Sequence, residues 1–262
     1  MRRKRKESRV KGLYQRSAGE GPLLLFLHGL GSSGLDWQSQ LEYFSPHYRC
    51  VALDLRGHGL STLEGPLNLG QLCADVVGWL DEQPGQVVLV GWSLGAMVAL
   101  EVALARPGRV EGMMLINGFA EFSLDNEADR ARFEQRLKWL RWIGMWPLAW
   151  WLGRSLFPAP DQGALRHTFR LRFVRNSKRA YRALLEALPG WSVRSRLSVL
   201  HQPVVLVSSD QDYLPLAQRV AQFASLPDGR IFTPSGHHAW PAEDPAACNR
   251  LLERFLTDIH FY

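Results

Sequence analysis

The chain has 262 residues, 46% of them hydrophobic and 21% charged, so it can bury one large core and fits a single α/β domain carrying an insertion. Its net charge of +6 is local: residues 1–11 hold seven Lys/Arg against Glu7, so residues 12–262 sum to zero, which excludes a generally basic nucleic-acid binder. Three widely spaced cysteines, Cys50, Cys73 and Cys248, exclude a disulfide framework and a Cys-x-x-Cys metal site and fit a reducing cytoplasm.

Residues 1–11 read as a basic tail, because polar residues follow where a secretory signal needs an apolar stretch. Short apolar runs then recur at Leu23–Leu27, Cys50–Leu55, Val87–Val90, Gly112–Ile116, Val204–Val207 and, more weakly, Arg230–Thr233. Each ends in a polar or glycine-containing turn and most lead into a helical pattern, the alternation of a mostly parallel sheet with helices on both faces. Chemistry in such a sheet gathers beyond the carboxyl ends of the strands.

The third run leads straight into Gly91-Trp92-Ser93-Leu94-Gly95 and a helix-forming stretch from Ala96 to Ala105. A strand that turns at once into a helix holds the serine in strained backbone and leaves no room for side chains two residues to either side. Strand, Gly-x-Ser-x-Gly and helix together predict a nucleophile elbow at Ser93.

Between Phe119 and about Arg196 the alternation stops, and residues 119–196 read as several helices inserted after the strand ending near Asn117. The first half is rich in Trp and Leu. Trp142–Gly153 is uncharged, but Pro147 breaks it and it is too short to span a bilayer. Two readings are open for it: aromatic residues packing the insertion and lining an apolar acyl pocket, or an interfacial lid that touches lipid. Residues 154–196 carry ten Arg/Lys against Asp161 and Glu186. Within them Arg172, Arg175, Arg179 and Arg182 fall at spacings of three and four, one face of a helix, which reads as a solvated face or as a dock for an acidic partner.

After Val204–Val207, Asp210 and Asp212 stand in Ser208-Ser209-Asp210-Gln211-Asp212-Tyr213-Leu214-Pro215. Asp212 is the candidate orienting acid, being further from the strand and just before the helix led by Pro215. Asp210 is the alternative and otherwise serves the turn. The base lies in Gly236-His237-His238, between the last strand and a helix at Ala246–Ile259. Two adjacent histidines cannot both face one serine. The chain order Ser, Asp, His is that of a nucleophile–acid–base set on an α/β sheet. No His/Cys/Asp/Glu cluster has metal-ligand spacing, and no phosphate-binding glycine loop follows a strand, so no cofactor is expected.

These segments resemble the cap-bearing α/β-hydrolases: His28-Gly29-Leu30-Gly31, Asp54-Leu55-Arg56-Gly57-His58-Gly59-x-Ser61, Gly91-x-Ser93-x-Gly95, Asp212, and a terminal His-Ala-x-Pro-x-Glu-x-Pro. The resemblance, to a group that includes ester esterases, enol-lactonases and monoacylglycerol lipases, covers residues 12–118 and 197–262 as core, with 119–196 as a helical cap. It implies a cofactor-free serine hydrolase of a small-molecule carboxylic ester with an apolar acyl part, or of a lactone or thioester. In the terminal pattern the histidine stands seven positions before Pro245, which selects His238, whereas the commoner Gly-His spelling favours His237. The resemblance also implies oxyanion donors at the backbone N–H groups of Leu30 and Leu94, and structural roles for His28, Asp54, Arg56 and His58. Among relatives of this kind, pimeloyl carrier-protein ester esterases supply the acidic-carrier reading of the arginine face. A catalytically silent binding member of the fold is the competing class.

Overall fold

The computed structural model describes residues 6–262. Eight strands, β1 (Lys6–Val10), β2 (Leu13–Ala18), β3 (Leu23–Leu27), β4 (Arg49–Asp54), β5 (Val87–Trp92), β6 (Val110–Ile116), β7 (Val204–Val207) and β8 (Gly229–Phe232), form one sheet in the order β1-β2-β4-β3-β5-β6-β7-β8. Pairings β1–β2 and β2–β4 are antiparallel; all others are parallel. The central parallel strands read as unbroken apolar runs because helices cover both faces.

Among the described residues ten α-helices accompany the sheet: α1 (Gln38–Phe44), α2 (Leu69–Asp81), α3 (Leu94–Ala105), α4 (Glu127–Trp142), α5 (Met145–Leu156), α6 (Gly163–Phe173), α7 (Lys178–Glu186), α8 (Leu216–Gln222), α9 (Trp240–Glu243) and α10 (Pro245–Asp258). Alternate residues of β3 serve opposite cores. Leu23, Leu25 and Leu27 pack with Leu72, Val76 and Leu100 of α2 and α3, whereas Leu24 and Phe26 pack with Leu41 of α1 and Leu252 and Phe255 of α10. No helix among the described residues is long and apolar enough to cross a membrane.

Two elements differ from the sequence expectation. Residues 1–5 of the expected basic tail lie outside the described residues, but Lys6–Val10 form the edge strand β1. Strand β2 was not expected either, because polar side chains interrupt it: Gln15 accepts from the Trp79 indole at 2.7 Å and Arg16 pairs with buried Asp54 at 2.7 Å. A buried polar group is stable in a strand only when satisfied in this way.

Helices α4–α7 lie between β6 and β7. Asn126 caps α4 by accepting from the Asp129 N–H at 2.8 Å, Gly144 at φ +92° turns the chain between α4 and α5, and Ser177 caps α7 by accepting from the Ala180 N–H at 3.3 Å. That last cap corrects the single-helix face of arginines. Arg172 is in α6, Arg175 is in the turn, and Arg179 and Arg182 are in α7, so no one helix presents all four. Arg172 pairs with Asp36 and Arg182 with Glu186.

Candidate active site

Ser93 is the one residue between β5 and α3, at φ +54° and ψ −113°. The glycines around it are required by close approach. A Cβ on Gly95 would stand 2.0 Å from the Leu27 carbonyl oxygen, and one on Gly91 2.5 Å from the Gly95 carbonyl oxygen. The Ser93 N–H is anchored to the Ile116 carbonyl at 2.9 Å, so the elbow is tied to the neighbouring strand while its side chain stays accessible.

Three segments that follow strands converge on this serine. His238, after β8, has Nε2 2.9 Å from Ser93 Oγ, and its Nδ1 is 2.9 Å from Asp212 Oδ1, after β7. With Nδ1–H donating to the carboxylate, Nε2 is left to accept from the Ser93 hydroxyl. Burial alone would raise the Asp212 pKa, but His238 and Arg219 outweigh it and hold the carboxyl below its ordinary value. Arg219, only 2% exposed, binds Asp212 Oδ2 at 2.6 Å and Ser208 Oγ at 2.7 Å. Asn117 closes the other side, its side-chain amide donating to the His238 carbonyl at 2.9 Å and accepting from the Ser209 N–H at 2.9 Å.

The alternatives face elsewhere. His237 has Nδ1 2.8 Å from Glu243 Oε1, and its backbone N–H donates to Glu243 Oε2 at 2.6 Å. Asp210 accepts from the Gly236 N–H at 2.9 Å, joining the two loops that carry the candidate acid and base.

Ser93 and His238 open into a cavity of about 270 Å³ that Leu30 and Leu94 also line. One wall is apolar, where Met97, Phe119, Phe122, Trp151, Leu152 and Leu188 meet, and the other is polar, where α4 contributes Asp129, Arg132 and Arg136. As the first residue of α3, Leu94 has an N–H without an intrahelical acceptor.

The loop bearing Leu30 is held by buried histidines. His28 Nε2 accepts from the Leu55 N–H at 2.9 Å while its Nδ1 meets the Gly29 carbonyl at 2.8 Å. His58 Nε2 accepts from the Gly31 N–H at 3.0 Å and its Nδ1 meets the Arg56 carbonyl at 3.2 Å. Asp54 accepts from the Gly34 and Leu60 N–H groups at 2.8 and 2.9 Å, and Arg56 grips Asp75 at 2.5 and 2.7 Å. Both imidazoles use one nitrogen as acceptor, so a second proton would oppose an N–H. Burial pushes His28 down to about 4 and His58 down to about 3.

That arrangement sets an acid limit on stability. Between the unfolded value of about 6.5 and these lowered values the unfolded chain binds protons the folded chain refuses, so stability falls as pH falls. From pH 7 to pH 5 the two imidazoles together remove about 4 kcal/mol, at ~1.4 kcal/mol per pH unit each. Urea unfolding at the two pH values checks this; an unchanged midpoint refutes it.

Two residues of the site carry no sequence signal. Arg219 lies seven residues past Asp212, within α8, in a stretch that reads as an ordinary helix. Tyr213 looks like a turn residue and is half exposed, yet its hydroxyl is 3.1 Å from His238 Nε2 and its ring stacks on Phe119. Burial beside Asp212 raises its pKa well above the usual phenol range.

The chain is similar to several known proteins. A pimeloyl-[acyl-carrier protein] methyl ester esterase of Yersinia enterocolitica is 35% identical over 119 residues, 45% of either chain. An (E)-2-((N-methylformamido)methylene)succinate hydrolase of Acinetobacter baylyi is 38% identical over 105 residues, 38% of this chain and 39% of that one. The chain thus spans less than half the length of these curated relatives. The solved enol-lactonase of Burkholderia xenovorans LB400 superposes with a TM-score of 0.86 at 25% identity, covering 96% of this chain and 100% of that one. A sequence model of the Alpha/beta hydrolase family matches residues 24–251, and the chain belongs to that family.

Proposed function

We propose that the chain is a serine hydrolase cleaving a carboxylic ester with an apolar acyl part, through Ser93, His238 and Asp212 and a covalent acyl-enzyme. Membership of the hydrolase family and relatives named as hydrolases and esterases support action on ester bonds. The observation that carries the finer reading is the continuous hydrogen-bonded row Ser93–His238–Asp212 beside a cavity with one apolar wall.

In this reading residues 12–118 and 197–262 are the catalytic core and residues 119–196 a cap over the cavity. Ser93 Oγ forms a bond to the ester carbonyl carbon as His238 Nε2 takes its proton, and the resulting oxyanion accepts hydrogen bonds from the Leu94 and Leu30 N–H groups. The bond to the alcohol then breaks and Nε2 returns the proton to the leaving oxygen. A water, deprotonated by the same nitrogen, attacks the acyl carbon, and Ser93 departs with that proton. Asp212 stays ionised throughout, orienting the ring and stabilising its cation. Tyr213 supplies a second hydroxyl on the side of Nε2 where the leaving oxygen must approach.

A carrier-borne ester is the second reading, favoured by the relatives that act on a pimeloyl carrier-protein methyl ester. Arg175 and Arg179 are the members of the arginine set left for an acidic carrier once Arg172 and Arg182 are paired. One experiment covers both readings: fluorophosphonate labelling with mapping of the modified residue, then turnover of p-nitrophenyl esters from acetate to palmitate beside a carrier-bound methyl ester. Labelling at Ser93 and faster turnover of longer acyl chains are expected. Faster turnover of the carrier-bound ester than of the same free ester would establish the second reading, and neither label nor turnover would leave a silent binding protein.

A further inference from the structure

The tryptophan-rich run of the insertion divides between inside and outside. Leu140, Leu148 and Leu152 are buried, and Trp151 and Leu156 line the cavity. Trp142, Ile143, Trp146 and Trp150 turn outward, being 73%, 54%, 55% and 48% exposed. They cluster at the corner where α4 ends and α5 begins, and Ile143, Trp146 and Trp150 share one open groove. Isolated exposed apolar residues are ordinary, but a contiguous patch marks a binding surface.

Cations frame the patch. The Arg141 guanidinium lies over the Trp142 ring at 5.1 Å, and those of Arg154 and Arg170 lie over Trp150 at 5.0 and 3.8 Å. No Asp or Glu occurs from Arg136 to Pro160. Arg166 is occupied by the carbonyls of Phe157 and Ala159, both at 2.7 Å. Arg170 Nε, by contrast, is buried with no hydrogen-bond partner. Burial, and secondarily the neighbouring Arg166 and Arg154, pulls the Arg170 pKa down.

We infer that this corner docks on an anionic phospholipid bilayer, with Trp142, Ile143, Trp146 and Trp150 entering the boundary between headgroups and acyl chains and Arg141, Arg154 and Arg170 meeting lipid phosphates. Indoles favour that boundary because one edge is polar and the rest apolar, and a cationic rim adds attraction to anionic lipid. A second copy of the chain fits poorly, since it would set this cationic rim against itself. An acidic protein would match the charge; the four apolar side chains call for apolar matter beside it, which a bilayer supplies. Trp151 lines both the outer groove and the cavity, so the docked corner adjoins the cavity wall. Delivery of lipid-borne esters to the cavity rests on the proposed ester hydrolysis; the docking does not.

The test mixes the full chain with extruded vesicles of phosphatidylcholine alone, or with about one quarter phosphatidylglycerol, and measures sedimented protein at ~0.1 M salt, where charges act over ~10 Å. Binding at least ~tenfold stronger to the anionic vesicles is expected. The basic N-terminus also attracts anionic lipid, so the decisive variant is Trp142→Ala with Trp146→Ala, which leaves charge unchanged and should weaken that binding at least ~tenfold. Arg154→Gln with Arg170→Gln should reduce the anionic preference by about fivefold per charge. Thermal melting reports whether the variants fold. Quenching of wild-type tryptophan fluorescence by brominated acyl chains reads insertion without any substitution. Unquenched indoles, tryptophan variants that bind as the wild type does, or a dimer that Trp146→Ala dissolves would each overturn the inference. An acidic polypeptide such as polyglutamate that binds as tightly as the anionic vesicles would do the same. None of these outcomes bears on Ser93 labelling, so docking and ester hydrolysis fail separately.

Discussion

Ser93→Ala is expected to lower kcat on a p-nitrophenyl ester by about 10⁴- to 10⁶-fold while leaving thermal unfolding nearly unchanged. Loss of a serine nucleophile removes covalent catalysis and leaves only binding and oxyanion contacts. The fold should not notice. The Ser93 side chain hydrogen-bonds to His238 and faces the cavity, whereas the anchor to Ile116 comes from its backbone N–H, which alanine keeps. Alanine also meets the same strain at φ +54° as serine does. Retention of a substantial fraction of wild-type kcat with unchanged melting would remove Ser93 from the mechanism.

The second large effect separates the paired histidines and aspartates. His238→Ala and Asp212→Asn should each cost about 10⁴-fold or more in kcat, and His237→Ala and Asp210→Asn about tenfold or less. The geometry supplies the reason: His237 is held by Glu243, and Asp210 spans two loops through the Gly236 N–H. Asp212→Asn carries a further signature. Asp212 is the sole carboxylate paired with buried Arg219 among the described residues, so neutralising it leaves an uncompensated charge, at a stability cost of ~3–5 kcal/mol. Lost activity together with lowered melting is therefore expected for Asp212→Asn and not for Asp210→Asn. The reverse order of kcat within either pair would reassign the roles.

The sequence is most legible where one physical demand dominates. Buried parallel strands must be apolar, and so the runs at Leu23–Leu27 and Val204–Val207 match the observed strands to the residue. The elbow is legible because two glycines without room for a Cβ flank a serine between strand and helix. Legibility fails where polar residues are buried and satisfied by distant partners. Gln15 and Arg16 hide strand β2, since nothing local announces Trp79 or Asp54. Arg219 and Tyr213 join the site only when α8 and the loop before it fold back on β6, a long-range event without periodicity. The arginine set failed for a local reason: spacings of three and four continue across the Asn176–Ser177 break as though no cap were there.

The strained backbone at Ser93 has a bearing on how such a chain changes over time. A non-glycine residue in that region of backbone space costs about 1–3 kcal/mol, which neighbouring packing must absorb. Replacement by glycine would release the strain and delete the hydroxyl in one step. Stability and activity therefore pull in opposite directions at this codon, and a lineage freed from selection on turnover could gain robustness there first. The serine stays only as long as its hydroxyl is used.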